Sequence, residues 1–182
     1  LDYFIRNRHA YLESTLGSIE IVDGLILNEL MSVNNSTIAD EFGEFDDWVE
    51  LTNTSADPID LDGLYLTDNM ALPTQYTFPD TTIQPGDYMI VWCDEDTLQG
   101  PLHSAFKLAS DGETVYLMDG SMIVDQVTYG PLSNDISYGL WEDNWQILSA
   151  ATPGAENENP ESPGSEALVI NEFMAKNNNG IQ

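Results

Sequence analysis

Basic residues are almost missing from this chain. Arg6, Arg8, Lys107 and Lys176 are the only four among 182 residues, against 32 acidic ones, for a formal charge of −28 at pH 7. A surface this acidic repels nucleic-acid phosphates and anionic lipid headgroups, which excludes DNA, RNA and membrane surfaces as primary partners. Cysteine is nearly absent as well. Cys93 stands alone, so neither an intrachain disulfide nor a cysteine-based zinc centre can form. The two histidines, His9 and His103, are far apart in sequence and give little basis for a histidine metal site or a triad. No apolar run reaches the roughly 20 residues that span a membrane. The first residues are charged and helix-like, unlike a secretion signal. What remains suffices for a core: 42% of residues are apolar and 10% aromatic, so the charge does not mean disorder. The length fits one main domain, or one domain with fragments of its neighbours. Because the first residue is Leu1 rather than Met, the chain is expected to be a piece of something longer.

The apolar residues Phe4, Ile5, Tyr11, Leu12 and Leu16 fall on one helix face, and Gly17 is placed to cap it. After Gly24 the pattern changes to short runs of Val, Ile, Leu, Tyr and Trp between turn clusters. The runs predict strands over Leu25 to Met31, Trp48 to Thr52, Ile59 to Leu66, Tyr88 to Cys93, Thr114 to Met118, Met122 to Tyr129 and Ser137 to Trp141. Asp57-Pro58, Asp62-Gly63, Pro85-Gly86, Asp111-Gly112 and Asp119-Gly120 punctuate them, and Asp119-Gly120 is a hairpin signal. About seven short strands with frequent turns predict an all-β, immunoglobulin-like antiparallel β-sandwich, preceded by one amphipathic helix. No helix-length periodic segment interrupts the strands, which argues against the α/β enzyme folds and their crossover helices.

Thr152 to Glu166 is rich in Pro, Gly, Glu, Asn and Ser, the composition of an extended linker. A new apolar run then starts at Leu168. Aligned on Leu25–Ile38, the segment Leu168–Ile181 is identical at seven of fourteen positions, among them Asn-Glu at Asn28-Glu29 and Asn171-Glu172. The offset of 143 residues is far longer than a solenoid repeat of roughly 20–50 residues and has the length of a whole domain. The expected division is a helical tail of an upstream domain over 1–20, a sandwich over 24–157, a linker over 158–167, and the first strand of a second copy over 168–182.

The ordered set Leu27-Asn28-Glu29-Leu30-Met31, Asp47-Trp48-Val49-Glu50-Leu51-Thr52-Asn53, Asp60-Leu61-Asp62-Gly63-Leu64-Tyr65 and Ile83-Gln84-Pro85-Gly86 resembles a lamin tail domain of the bacterial type. So do Val91-Trp92-Cys93-Asp94, His103-Ser104-Ala105-Phe106-Lys107-Leu108, Ser137-Tyr138-Gly139 and Thr152-Pro153-Gly154-Ala155. The resemblance runs over about 25–157. It implies an immunoglobulin-like sandwich without catalytic machinery. The segment Phe4 to Leu16 is similar to the C-terminal end of CotH kinase-like domains, whose catalytic core would then lie upstream. The chain departs from the nuclear relatives in charge: between Leu25 and Asn157 a single basic residue, Lys107, faces 24 acidic ones.

Two acidic clusters invite a metal reading. Asp40, Glu41, Glu44, Asp46 and Asp47 lie within eight residues around Gly43, and hard cations such as calcium take several oxygen ligands on flexible loops. The spacing is not that of an EF-hand, and a solvated acidic turn is the plainer reading. Asp94, Glu95 and Asp96 follow an apolar run, where a capped polar turn is the plainer reading. Glu29 and Glu50 interrupt strand-like stretches. They suggest either an acid/base pair for glycoside hydrolysis or carboxylates that accept backbone N–H bonds at a bulge. The second is preferred, and the Asn-Glu recurrence at Asn171-Glu172 supports it. Cys93 reads as a buried, inert thiol and His103 as a packing or hydrogen-bonding residue. Trp48 and Trp92 read as core, while Trp141 and Trp145 flank an expected turn and are the better candidates for an exposed sugar platform.

No residue is assigned a catalytic, cofactor-binding or metal-binding role, and no cofactor is expected. The expectation is a non-catalytic accessory or interaction module of a secreted or cell-surface multidomain bacterial protein, located outside the cell. A carbohydrate-binding module is the alternative, and a hydrolase using paired carboxylates is a distant one. The partners left open are a protein or glycan ligand and the neighbouring domains of the same chain, without nucleic acid and without membrane insertion.

Overall fold

The structure, a computed structural model, describes residues 22–158. They form eleven strands and no helix: β1 (Leu25–Met31), β2 (Asp47–Asn53), β3 (Ile59–Asp60), β4 (Leu64–Thr67), β5 (Tyr76–Thr77), β6 (Thr82–Ile83), β7 (Tyr88–Cys93), β8 (Thr114–Asp119), β9 (Met122–Thr128), β10 (Tyr138–Trp141) and β11 (Asn144–Ile147). A five-stranded sheet of order β11-β10-β1-β2-β7 and a four-stranded sheet of order β5-β4-β8-β9 make the two layers, with β3-β6 as a small ribbon. Every pairing between these strands is antiparallel. The fold is an immunoglobulin-like β-sandwich. The expected N-terminal helix and the expected second-copy strand lie outside the described residues, as does the expected linker beyond Glu158.

Period-two alternation explains the layers. Leu27, Leu30, Val49, Leu51 and Val91 from the larger sheet meet Leu64, Leu66, Val115, Leu117 and Val127 from the smaller one in the main core. Alternate residues of the same strands turn outward, yet the outer face is not bare. Met31, Trp48 and Trp92 form a second buried cluster there, under Ile38 and Ala151. Residues Trp48 to Asn53 of β2 are therefore buried on both faces. A sandwich strand ordinarily shows one face to water, so something covers this one.

Two differences from the expected strands have local causes. The run Ile59 to Leu66 is not one strand. Asp60 Oδ1 accepts the Asp62 N–H at 3.0 Å, and Gly63 takes φ +79°, a left-handed value that favours glycine. The chain turns there and passes from the ribbon to the four-stranded sheet. Asn144, expected in the turn flanked by Trp141 and Trp145, instead begins a strand, Asn144–Ile147. It pairs with β10 through Tyr138↔Ile147 to Trp141↔Asn144.

The free edge of β7 is closed by a following segment. Trp92 N–H donates to the Leu102 carbonyl at 2.8 Å, and Ser104 N–H donates to the Trp92 carbonyl at 2.8 Å. This contact protects a sheet edge and fixes His103 beside the C-terminal end of β7.

Candidate functional site

The outer face of the larger sheet holds the paired glutamates. β1 changes register between Leu27 and Glu29, so Asn28 is an extra residue and Glu29 falls opposite Glu50. Both carboxylates are 0% exposed, and each is engaged by the chain's own end. The Glu29 oxygens accept the Thr152 N–H at 3.1 Å and its hydroxyl at 3.1 Å. Glu50 accepts the Gly154 N–H and, at 2.8 Å, the Asn28 amide. Asn157 locks the segment down: its amide nitrogen donates to the carbonyls of Asn28 and Leu140, at 2.9 Å each, and its oxygen accepts the Thr152 hydroxyl at 2.9 Å. Gly139 makes room for this, since a Cβ there would sit 2.9 Å from the Asn157 amide and 2.6 Å from Leu148. Thr152–Asn157 is thus a strap over the sheet, although its composition is like that of the expected linker that follows.

Burial pushes the Glu50 carboxyl up to about 7, against the Gly154 and Asn28 donors that pull it down. Burial raises Glu29 as well. Elevated carboxyls of this kind are what a general acid needs. Here, however, neither group has a surface left for a substrate, and their oxygens are occupied by backbone and amide donors. The arrangement satisfies a strap's N–H groups and does not present a proton.

The opposite arrangement is found at the end of the sheet where β2 begins and β7 finishes. Pairing of Asp47 with Cys93 brings the two acidic clusters of the sequence together. One oxygen each of Asp40, Glu44 and Asp46 lies within 4.8 Å of the others. Asp46 is raised by its burial and by the charges of Asp94, Asp40 and Glu44. Glu41 and Asp47 take other roles. Glu41 Oε1 sits 3.5 Å from His103 Nε2, while Asp47 is pushed by burial up to about 7. Of the second cluster, Asp94 is buried beside His103, bonded to its Nδ1, and caps the turn by accepting the Asp96 N–H at 2.8 Å; Glu95 and Asp96 are exposed. Burial pulls His103 down, but Asp94 and Glu41 outweigh it and hold the imidazole above its ordinary range. Asp40, Glu44 and Asp46 could each give an oxygen to a hard cation, but calcium takes about six to eight.

The other sequence candidates are spread out. Cys93 is buried and its thiol is pushed well up by burial, as suits an inert residue. Trp145 is half-buried against the main core and stacks on Tyr138 with ring centres 5.5 Å apart, and Trp141 is also half-buried. The two do not form an open aromatic platform. A groove beyond the other end of β2, lined by Val22, Asp23, Ser55, Asp57 and Asp60, contains no histidine or cysteine. Sequence reasoning missed Asn157 and the joining of Asp94 to the 40–47 loop. The signal for the first was the Asn28-Glu29 bulge, which leaves carboxylates in need of donors.

The lamin tail domain family matches residues 22–131. No curated protein and no solved structure matches the chain. The matched stretch ends before β10, β11 and the strap, although β10 is hydrogen-bonded to β1 in the same sheet.

Proposed function

The chain belongs to the lamin tail domain family, and from that premise we propose that it is a non-catalytic interaction module of a secreted or cell-surface, multidomain bacterial protein. The family is one of immunoglobulin-like domains, usually interaction modules. The observation that carries the reading is the fate of Glu29 and Glu50. The one carboxylate pair suited by sequence to acid/base chemistry is sealed at 0% exposure beneath the strap. The recurrence of the β1 sequence at Leu168–Ile181 supports a tandem arrangement, with 168–182 beginning a second copy. The bacterial-type motif order and the charge support an extracellular setting.

The test is excision of residues 22–158 from the parent polypeptide. The expected result is that any catalytic activity of the remainder on soluble substrate persists, while association with the parent's target or surface is lost. Hydrolysis of chromogenic glycosides by the 182-residue chain, abolished by Glu50→Gln, would sink the proposal.

A further inference from the structure

We propose that the end of the sandwich formed by residues 40–46 and 95–100 docks a basic polypeptide segment through a bulky apolar side chain. This rests on the interaction-module reading and names the partner's chemistry. Isolated exposed apolar residues are ordinary on a protein surface, but clustered ones mark contact sites. Phe42 is 57% exposed, Phe45 45% and Leu98 96%. Phe42 and Phe45 flank the Gly43-Glu44 tip of one loop, and Leu98 precedes Gln99, whose amide donates to Glu44 Oε2 at 2.5 Å. The two loops therefore stand side by side.

The patch is built to stay exposed. Asp40 Oδ1 accepts the N–H groups of both Phe42 and Glu44 at 2.8 Å, and Gly43 turns the chain at φ +85°. The Phe42 ring stands edge-on to the buried His103 ring, with centres 6.1 Å apart and planes at 72°. Side chains held in place before binding lose less freedom on binding. Rigid aromatic anchors ringed by polar groups are the usual composition of a protein interface.

Charge then selects the partner. Asp40, Glu41, Glu44, Asp46, Glu95 and Asp96 lie on the same two loops as the three apolar side chains, and Lys107 is the sole lysine or arginine among the described residues. Lys107 offsets part of the charge of Asp46 and Asp47 but leaves the rim strongly negative. An anionic ligand or lipid surface is repelled from it. A neutral apolar segment would gain nothing from the negative charge of the two loops. A segment with lysine or arginine beside leucine or an aromatic residue satisfies both features.

The experiment uses the full 182-residue chain and two labelled synthetic peptides read by fluorescence anisotropy. In one, lysines alternate with leucines; in the other, the same lysines alternate with serines. The leucine peptide is expected to bind at least about tenfold more tightly, as anchor residues at an interface centre do. Phe42→Ala with Phe45→Ala is expected to abolish that difference, leave the weak serine-peptide binding, and leave the chain folded by circular dichroism. Leu98→Ala, at a side chain almost wholly in solvent, is expected to reduce the difference in part. Equal affinity for the two peptides, no binding of either, or an unaltered preference in the double variant would each overturn the proposal. Failure here with target association still dependent on residues 22–158 removes this surface and leaves the module reading standing. Glu50-dependent hydrolysis removes the module reading itself.

Discussion

Gly154 donates its backbone N–H to the buried carboxylate of Glu50 across 104 residues of sequence. Together with the Thr152–Glu29 bonds, this contact joins the end of the domain to the middle of its larger sheet. It explains why β1 and β2 carry glutamates at buried positions. A buried carboxylate is costly unless donors meet it, and a buried strap is costly unless acceptors meet its N–H groups.

Removing either partner should therefore be expensive. Glu29→Ala and Glu50→Ala are each expected to destabilise the domain by about 2–3 kcal/mol, because each leaves buried donors unpaired. Asn157→Asp should cost more than Asn157→Ala. The carboxylate would face the Asn28 and Leu140 carbonyls, which now accept from the amide at 2.9 Å, and would add buried charge. Urea unfolding of the three positions checks the order.

The strap sets the functional boundary of the domain. A fragment of residues 22–158 is expected to unfold at the temperature of the full chain. A fragment of residues 22–151 is expected to lose about 3 kcal/mol or more, since both glutamates lose donors together. Equal midpoints for the two fragments, measured by circular dichroism, would show the strap to be dispensable.

Stability should fall as pH rises from mildly acidic to mildly basic. Glu50 and Asp47 reach about 7 when folded, from ordinary values of 4.5 and 3.8. The folded state thus holds these protons more tightly than the unfolded state. The corresponding stability is present below the ordinary values and is lost as pH climbs through about 7. His103 acts in the same direction. Its pairing with Asp94 and Glu41 stabilises the fold below its unfolded value of 6.5, and that contribution is lost as pH rises through its higher folded value. Self-repulsion among the many carboxylates adds to the trend. Scanning calorimetry is expected to show the midpoint declining from about pH 4 to pH 8. A midpoint that rises over this range contradicts the assignment.

Much of the fold was legible because burial writes its period into the chain. Leu25–Met31 and Tyr88–Cys93 coincide with their expected bounds, and the neighbours Trp48 and Val49 fall in two separate buried clusters, as strand alternation requires. The two-residue strands at Tyr76–Thr77 and Thr82–Ile83 are too short to carry any period. The resemblance took in Thr152-Pro153-Gly154-Ala155, but the contacts of that strap were hidden for another reason. Thr152-Pro153-Gly154 has the composition of a linker, and only the distant carboxylates make it part of the core. The union of Asp94 with Asp40, Glu44 and Asp46 depends on β2 pairing with β7, which no local pattern states.

Duplex DNA is expected not to bind at physiological salt. Lys107 alone among residues 25–157 could neutralise a phosphate, against 24 acidic residues, and affinity for DNA scales with phosphates neutralised. Saturable micromolar binding in a gel-shift titration would contradict this.

Amide hydrogen exchange at Thr152 and Gly154 tests most directly whether Glu29 and Glu50 are structural clamps. Both N–H groups lie in a segment without strand structure, so an ordinary loop would exchange them quickly. The clamp account predicts protection in the wild-type chain comparable to that of β1 and β2, with selective loss at Thr152 in Glu29→Ala and at Gly154 in Glu50→Ala. Loop-like exchange of both amides in the wild-type chain would contradict it and free the two carboxylates for another role.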